Sequence, residues 1–200
     1  MRFVTLEGVD GAGKSTHIEF IADALRTKGG HVIVTREPGG TELAERLRET
    51  ILTKQMTPVV ETLLVFAARA DHVARVIRPA LEAGSTVICD RFTDATFAYQ
   101  GAGNGVSRDL IARLAEAAHP NLRPHRTLIF DVPYEVSSAR LAKAGRKLDR
   151  FEREDRAFFE RVRGAYLAIA KQEADRVRVI DASGDAASVR EQIKAALQGL

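Results

Sequence analysis

The stretch Gly8-Val9-Asp10-Gly11-Ala12-Gly13-Lys14-Ser15 constrains this chain more than any other. It fits G-x-x-x-x-G-K-[ST], a phosphate-binding P-loop. The flanks strengthen the match. Phe3–Leu6 reads as a strand, and Ile18, Ile21, Ala22 and Leu25 follow at helical spacing. Strand, glycine loop and helix are what the chemistry requires. The glycines let backbone N–H groups turn toward a phosphate, and the helix N-terminus adds partial positive charge. Gly8 to Thr16 is therefore the candidate triphosphate-binding segment. Lys14 is placed to reach the β- and γ-phosphates, and the Ser15 hydroxyl to face Mg²⁺.

The remaining chain alternates strand-like and helix-like segments, which predicts a three-layer α/β fold on a five-stranded parallel sheet. The expected strands are Phe3–Leu6, His31–Thr35, Thr86–Cys89, Thr127–Phe130 and Arg176–Ile180. The expected helices are Ser15–Lys28, Thr41–Leu52, Val60–Ala83, Ser107–Ala118, Tyr134–Leu141, Arg156–Glu173 and Ala187–Leu197. Two hundred residues suit one domain, 1–200. No apolar window reaches membrane-spanning length, and a single cysteine, Cys89, permits no internal disulfide. Both point to a cytoplasmic protein with no membrane partner. Net charge is only +3, with the basic excess concentrated between Arg140 and Arg163 and interleaved with acids. That pattern argues against a nucleic-acid-binding face.

Active groups in such sheets gather beyond the carboxyl ends of the strands. After the second strand stands Thr35-Arg36-Glu37-Pro38-Gly39-Gly40-Thr41, an irregular loop holding an arginine and a glutamate, with Thr41 as a helix N-cap. The third strand ends in Asp90-Arg91-Phe92; Asp90 is a candidate Mg²⁺ ligand and Arg91 a phosphate clamp. The helix over Val60–Ala83 is expected to pack an apolar stripe of Leu63, Ala67, Ala70, Ala74, Ile77 and Leu81. A second face carries Val65, Phe66, Arg69 and His72, where an aromatic and an arginine suit a base and a phosphate. Tyr99-Gln100, before a glycine-rich loop, suits the ring face and polar edge of a base. A basic segment with Gly145, about 142–153, has the composition of a short lid.

These motifs, in this order, resemble the thymidylate kinase family of nucleoside monophosphate kinases. The carriers are the loop beginning Leu6-Glu7-Gly8, Arg36-Glu37-Pro38-Gly39-Gly40-Thr41, Asp90-Arg91-Phe92, Ala98-Tyr99-Gln100-Gly101 and Leu148-Asp149-Arg150-Phe151-Glu152. The resemblance implies ATP as donor, dTMP as acceptor, Mg²⁺ and a homodimer. It implies that Arg69 and Arg91 bind the acceptor phosphate with support from Arg36 and Glu37. Asp10 would face the acceptor sugar or the metal there, with Tyr99, Gln100 and Phe66 around the nucleoside. In that family the arginine near the transferred phosphoryl comes either from the P-loop or from the lid; the P-loop interior here carries none, so the resemblance implies that the lid supplies it. Arg146 is the nearest candidate, with Lys143, Lys147 and Arg150 as rivals. The expected catalytic set is Lys14, Arg91, Arg146 and Asp10. The rival readings are a kinase of another nucleoside monophosphate or a deoxynucleoside, a GTP-dependent switch protein, and a nucleic-acid ATPase. A switch protein needs an Asn-Lys-x-Asp segment, and none is present.

Overall fold

The computed structural model describes residues 2–26, 30–143, 145 and 149–200. Five parallel strands form one sheet in the order β2-β3-β1-β4-β5: β1 Arg2–Glu7, β2 Val32–Arg36, β3 Thr86–Asp90, β4 Arg126–Asp131 and β5 Val177–Asp181. β1 lies at the centre, with Leu6 beside Asp90 of β3 and Leu128 of β4. Val4, Leu6, Ile88 and Leu128 share a core with Ile21 and Leu25 of α1 (Lys14–Arg26). Phe3, Val87 and Cys89 pack with Val73, Ile77 and Leu81. Covered faces explain why the strands read as apolar runs rather than as alternation. The expected end of the first helix, Lys28, lies outside the described residues.

The chain then forms α2 (Glu42–Thr53), capped by Thr41, whose Oγ1 accepts from the Ala44 N–H at 3.1 Å. The single helix expected over Val60–Ala83 is instead α3 (Pro58–His72), a π-helical turn Val73–Ile77 and α4 (Arg78–Glu82). Pro79 has no N–H to give to the turn before it, and the wider turn accommodates this. The extra residue per turn rotates the buried face. Ile77 and Leu81 are core as expected, but Leu63 is 48% exposed, and Ala67 and Ala74 are exposed too. In α3 the buried face is the other one: Glu61, Val65, Phe66, Arg69 and His72.

Beyond β3 the backbone is more helical than its glycines suggest. α5 (Thr93–Thr96) runs directly into a π-helical segment, Phe97–Gly103. A Cβ at Gly103 would fall 2.6 Å from the Phe158 ring of α8 (Arg156–Gln172). The glycine there serves close packing rather than a loop. α6 (Arg108–Ala118), α7 (Tyr134–Lys143) and α9 (Ala186–Ala196) complete the layers.

Candidate active site

β1 delivers the P-loop at its carboxyl end. Gly8 has φ 128°, and a Cβ there would lie 2.3 Å from the Phe130 carbonyl oxygen of β4. Only glycine fits so close a passage. The loop folds over Lys14, whose Nζ donates to the carbonyls of Gly8 (3.1 Å) and Val9 (3.3 Å). Burial lowers the Lys14 pKa, as does Arg91, while Asp90, Asp10 and Glu7 pull it back up. α7 braces the loop: Ser137 Oγ donates to the Asp10 carbonyl at 2.7 Å. Arg140 joins the Ala12 carbonyl (3.3 Å) to that of Ala182 (2.8 Å), just past β5.

Asp90 ends β3 with its Oδ1 buried and without a hydrogen-bond partner among the described residues. An orphan carboxylate oxygen is costly unless a cation meets it. Ser15, an exposed residue, stands in the first turn of the helix that follows the same loop. A hard carboxylate and a hydroxyl beside a triphosphate loop are the donor set Mg²⁺ takes, so these residues fit the ion.

Arg91 stands between the loop and a neighbouring cavity. Its backbone has φ 70°, the left-handed region, and three partners hold that turn. Arg91 N–H donates to the Leu6 carbonyl (2.9 Å), Phe92 N–H to Glu7 Oε1 (2.7 Å) and Cys89 Sγ to the Arg91 carbonyl (3.0 Å). The guanidinium donates to Asp10 Oδ1 (2.6 Å), the Tyr99 hydroxyl (3.1 Å), the Gly8 carbonyl (3.1 Å) and the Tyr166 hydroxyl (3.3 Å). Tyr99 donates in turn to Asp10 Oδ2 at 2.9 Å. Burial works to raise the Asp10 pKa, but Arg91 and Lys14 beside it hold the carboxyl below its ordinary value. Tyr166 donates to Glu7 Oε2 at 2.9 Å. Burial pushes the Glu7 carboxyl up to about 8, with Asp94 adding to the effect and Arg91 opposing it.

The cavity beyond Arg91 is lined by Asp10, Arg48, Val65, Arg69, Tyr99 and Gln100, among others. Arg69 is 2% exposed and already engaged at each nitrogen. Nε donates to Glu37 Oε2 (2.6 Å), Nη1 to Thr96 Oγ1 (3.1 Å) and Nη2 to the Phe92 carbonyl (3.1 Å). Glu37 Oε1 also meets His72 Nδ1 at 3.0 Å, and Thr35 Oγ1 meets His72 Nε2 at 2.7 Å. Glu37, His72 and Cys89 bring metal-competent atoms within 4.8 Å of one another, but the Arg69 cation already occupies Glu37.

Two expected site residues, Arg36 and Phe66, are not among those that line this cavity. Arg36 is 56% exposed and paired at 2.9 Å with Glu45 of α2, so its charge points along the surface. Arg48, three residues beyond Glu45, lines the cavity in its place and donates to the Pro38 carbonyl at 3.0 Å. Phe66 packs with Val106 and Ile111, because α6 covers that side of α3; Val65 is the residue on the cavity wall. Of the segment expected to form a lid, Arg146 and Lys147 lie outside the described residues. Arg150 donates through Nε to the Ile51 carbonyl (2.6 Å) and through Nη2 to Glu61. Glu7, Arg48, Glu61, Ser137, Arg140 and Tyr166 contact the loop, the cavity or the residues around them, and were not anticipated as candidates. Glu61 carried a readable signal: it lies one helical turn before Val65 and two before Arg69.

A family model described as Thymidylate kinase matches residues 6–193. The chain is 56% identical over 199 residues to the thymidylate kinase of Bordetella petrii, covering 100% of this chain and 96% of that protein. It is 55% identical over 201 residues to that of Ectopseudomonas mendocina, covering 99% and 95%. The crystal structure of thymidylate kinase from Ehrlichia chaffeensis superposes with a TM-score of 0.78 at 34% identity, over 97% of each chain.

Proposed function

The chain belongs to the thymidylate kinase family, and from that membership and its site we infer that it transfers the γ-phosphoryl group of ATP to dTMP, giving dTDP and ADP. One observation carries the reading. A triphosphate loop and the neighbouring cavity share a wall made of Asp10 and Arg91, which are joined at 2.6 Å. Donor and acceptor phosphates would meet there.

Phosphoryl transfer asks chiefly for alignment and for positive charge on the moving oxygens. Lys14 supplies charge from the donor side and Arg91 from the shared wall. Mg²⁺, held by Ser15 and Asp90, would neutralise and orient the triphosphate oxygens. Arg48 and Arg69 bring cationic groups to the acceptor cavity, Arg69 with its guanidinium held at Nε by Glu37. Tyr99 and Gln100 would flank the nucleoside. The acceptor phosphate is itself the nucleophile. Its second pKa is about 6, so at neutral pH it is largely a dianion and needs no strong general base. Arg146 is proposed as the lid's contribution to the transferring phosphoryl. Replacing it with Ala should depress turnover far more than ATP binding; equal losses would remove it from the mechanism.

We also propose a homodimer in the cytoplasm. Leu43 of α2 and Val59, Val60 and Leu63 of α3 are large apolar side chains left exposed, which suits a second copy. No described helix is long and apolar enough to cross a membrane. The decisive assay is ADP release from ATP with each nucleoside monophosphate in turn. If dTMP were turned over no faster than CMP, UMP or AMP, the proposed acceptor would be wrong.

A further inference from the structure

Glu61 is a buried carboxylate that makes no contact with the P-loop among the described residues, yet three side chains converge on it. Its Oε1 accepts from Gln100 Nε2 at 2.6 Å and from Asn104 Nδ2 at 3.4 Å. Its Oε2 accepts from Arg150 of the lid segment, whose Nε is held by the Ile51 carbonyl. The side chain of Glu61 is 1% exposed.

A carboxylate only accepts hydrogen bonds, so it dictates which end of a neighbouring amide turns toward it. The Gln100 nitrogen must face Glu61, and its carbonyl oxygen must face away. Gln100 lines the acceptor cavity, so the carbonyl is the polar group it has left to offer a ligand. A fixed carbonyl pairs with a ring N–H. Thymine and uracil carry one at N3; cytosine carries a lone pair there. We propose that Glu61 sets the base specificity of the acceptor site by locking the Gln100 amide with its oxygen toward the cavity, selecting a pyrimidine with an N3–H. This rests on the nucleoside monophosphate kinase reading given above. Glu61 is a positioning residue: it acts through Gln100 and does not touch the substrate. Arg150 closes on the same carboxylate, so the lid base and the base-reading amide share one anchor.

The substitution Glu61→Gln keeps the shape and removes the dictation. Its oxygen goes to the Arg150 cation, its NH₂ turns to Gln100, and the Gln100 amide reverses. Steady-state kinetics with dTMP, dUMP and dCMP would read the result. A site built to pair with one polar group rejects analogues that cannot satisfy it by large factors. The expected outcome is a fall of at least about tenfold in the ratio of kcat/KM for dTMP to that for dCMP. dUMP should fall with dTMP, dCMP should hold or rise, and the KM for ATP should stay unchanged. A role in folding alone would lower all three substrates together with the melting temperature. If Glu61→Gln does not fold, the paired change Glu61→Met with Arg150→Met removes the anchor without stranding a charge, and the same ratio applies. A folded variant whose dTMP-to-dCMP ratio stays within about twofold of the unmodified chain overturns the proposal. An unmodified chain that does not prefer dTMP to dCMP overturns the acceptor assignment, and this inference with it.

Discussion

Replacing Glu37 with Gln isolates what the Arg69 ion pair contributes. The two side chains are each 2% exposed and meet at 2.6 Å, with His72 on the other carboxylate oxygen at 3.0 Å. Gln has the same shape. Its oxygen can stay against Arg69 Nε. Its NH₂ can face His72 if that ring accepts at Nδ1 and donates to Thr35 from Nε2 instead. The hydrogen bonds therefore survive, and what is lost is the counter-charge of a guanidinium that is almost wholly buried. Stranding one member of a buried pair costs about 3–5 kcal/mol. Because the bonds can be remade, the low end applies, about 3 kcal/mol. For a chain of this size each kcal/mol moves the melting temperature by roughly 2–4 °C, so a drop of about 6–12 °C is expected by calorimetry. The internal control is Glu45→Gln, which breaks the Arg36–Glu45 pair. That pair is nearly as short, at 2.9 Å, but its side chains are 56% and 41% exposed. Exposed pairs are worth under about 1 kcal/mol, so its melting temperature should move by only a few degrees. If both variants shifted equally, burial would not set the strength of the Arg69 pair and the reasoning would fail.

Glu7 ties stability to pH. Its carboxyl binds protons more tightly folded than unfolded, with a pKa moved from 4.5 to about 8. The contribution is complete below about pH 4.5 and fades as pH climbs toward 8. At about 1.4 kcal/mol per tenfold in proton affinity this amounts to a few kcal/mol. Denaturation midpoints should fall over that window in the unmodified chain and flatten in Glu7→Gln; parallel curves would exclude Glu7 as the source. Gly8→Ala sets a Cβ 2.3 Å from the Phe130 carbonyl oxygen, so ATP affinity by calorimetry should fall at least about tenfold, roughly 1.4 kcal/mol; unchanged affinity would mean the loop has room there. Chelating divalent ions should abolish turnover without moving the melting temperature, and added Mg²⁺ should restore it. Turnover that persists in chelator would detach Asp90 from metal binding.

The P-loop and the strand order of events along the chain were legible because each is a local signal: a spacing of glycines, an apolar run, a helix period. Lys14, Asp10, Arg91, Tyr99 and Gln100 could be singled out as candidates because they sit at strand ends or in short motifs, where local spacing and family resemblance agree. α3 shows where such signals run out. Leu63, Ala67, Ala70 and Ala74 follow helical spacing, and so do Glu61, Val65, Arg69 and His72. Hydropathy favours burying the first set; the fold buries the second. The choice turns on partners that are remote in the chain. Arg69 meets Glu37, 32 residues away, and Glu61 meets Arg150, 89 residues away. Neither charge could enter the interior alone, since burying an unpaired ion costs more than an apolar stripe of this size returns. Once paired, both can be buried, and the apolar stripe is left on the surface. The same logic explains Arg36 and Arg48. Arg36 found a carboxylate within reach on the outside, at Glu45, and the cavity took the arginine one turn further along α2. In a site built from charges, the side a residue faces is decided by where its counter-charge arrives, and that is a property of the topology rather than of the local sequence.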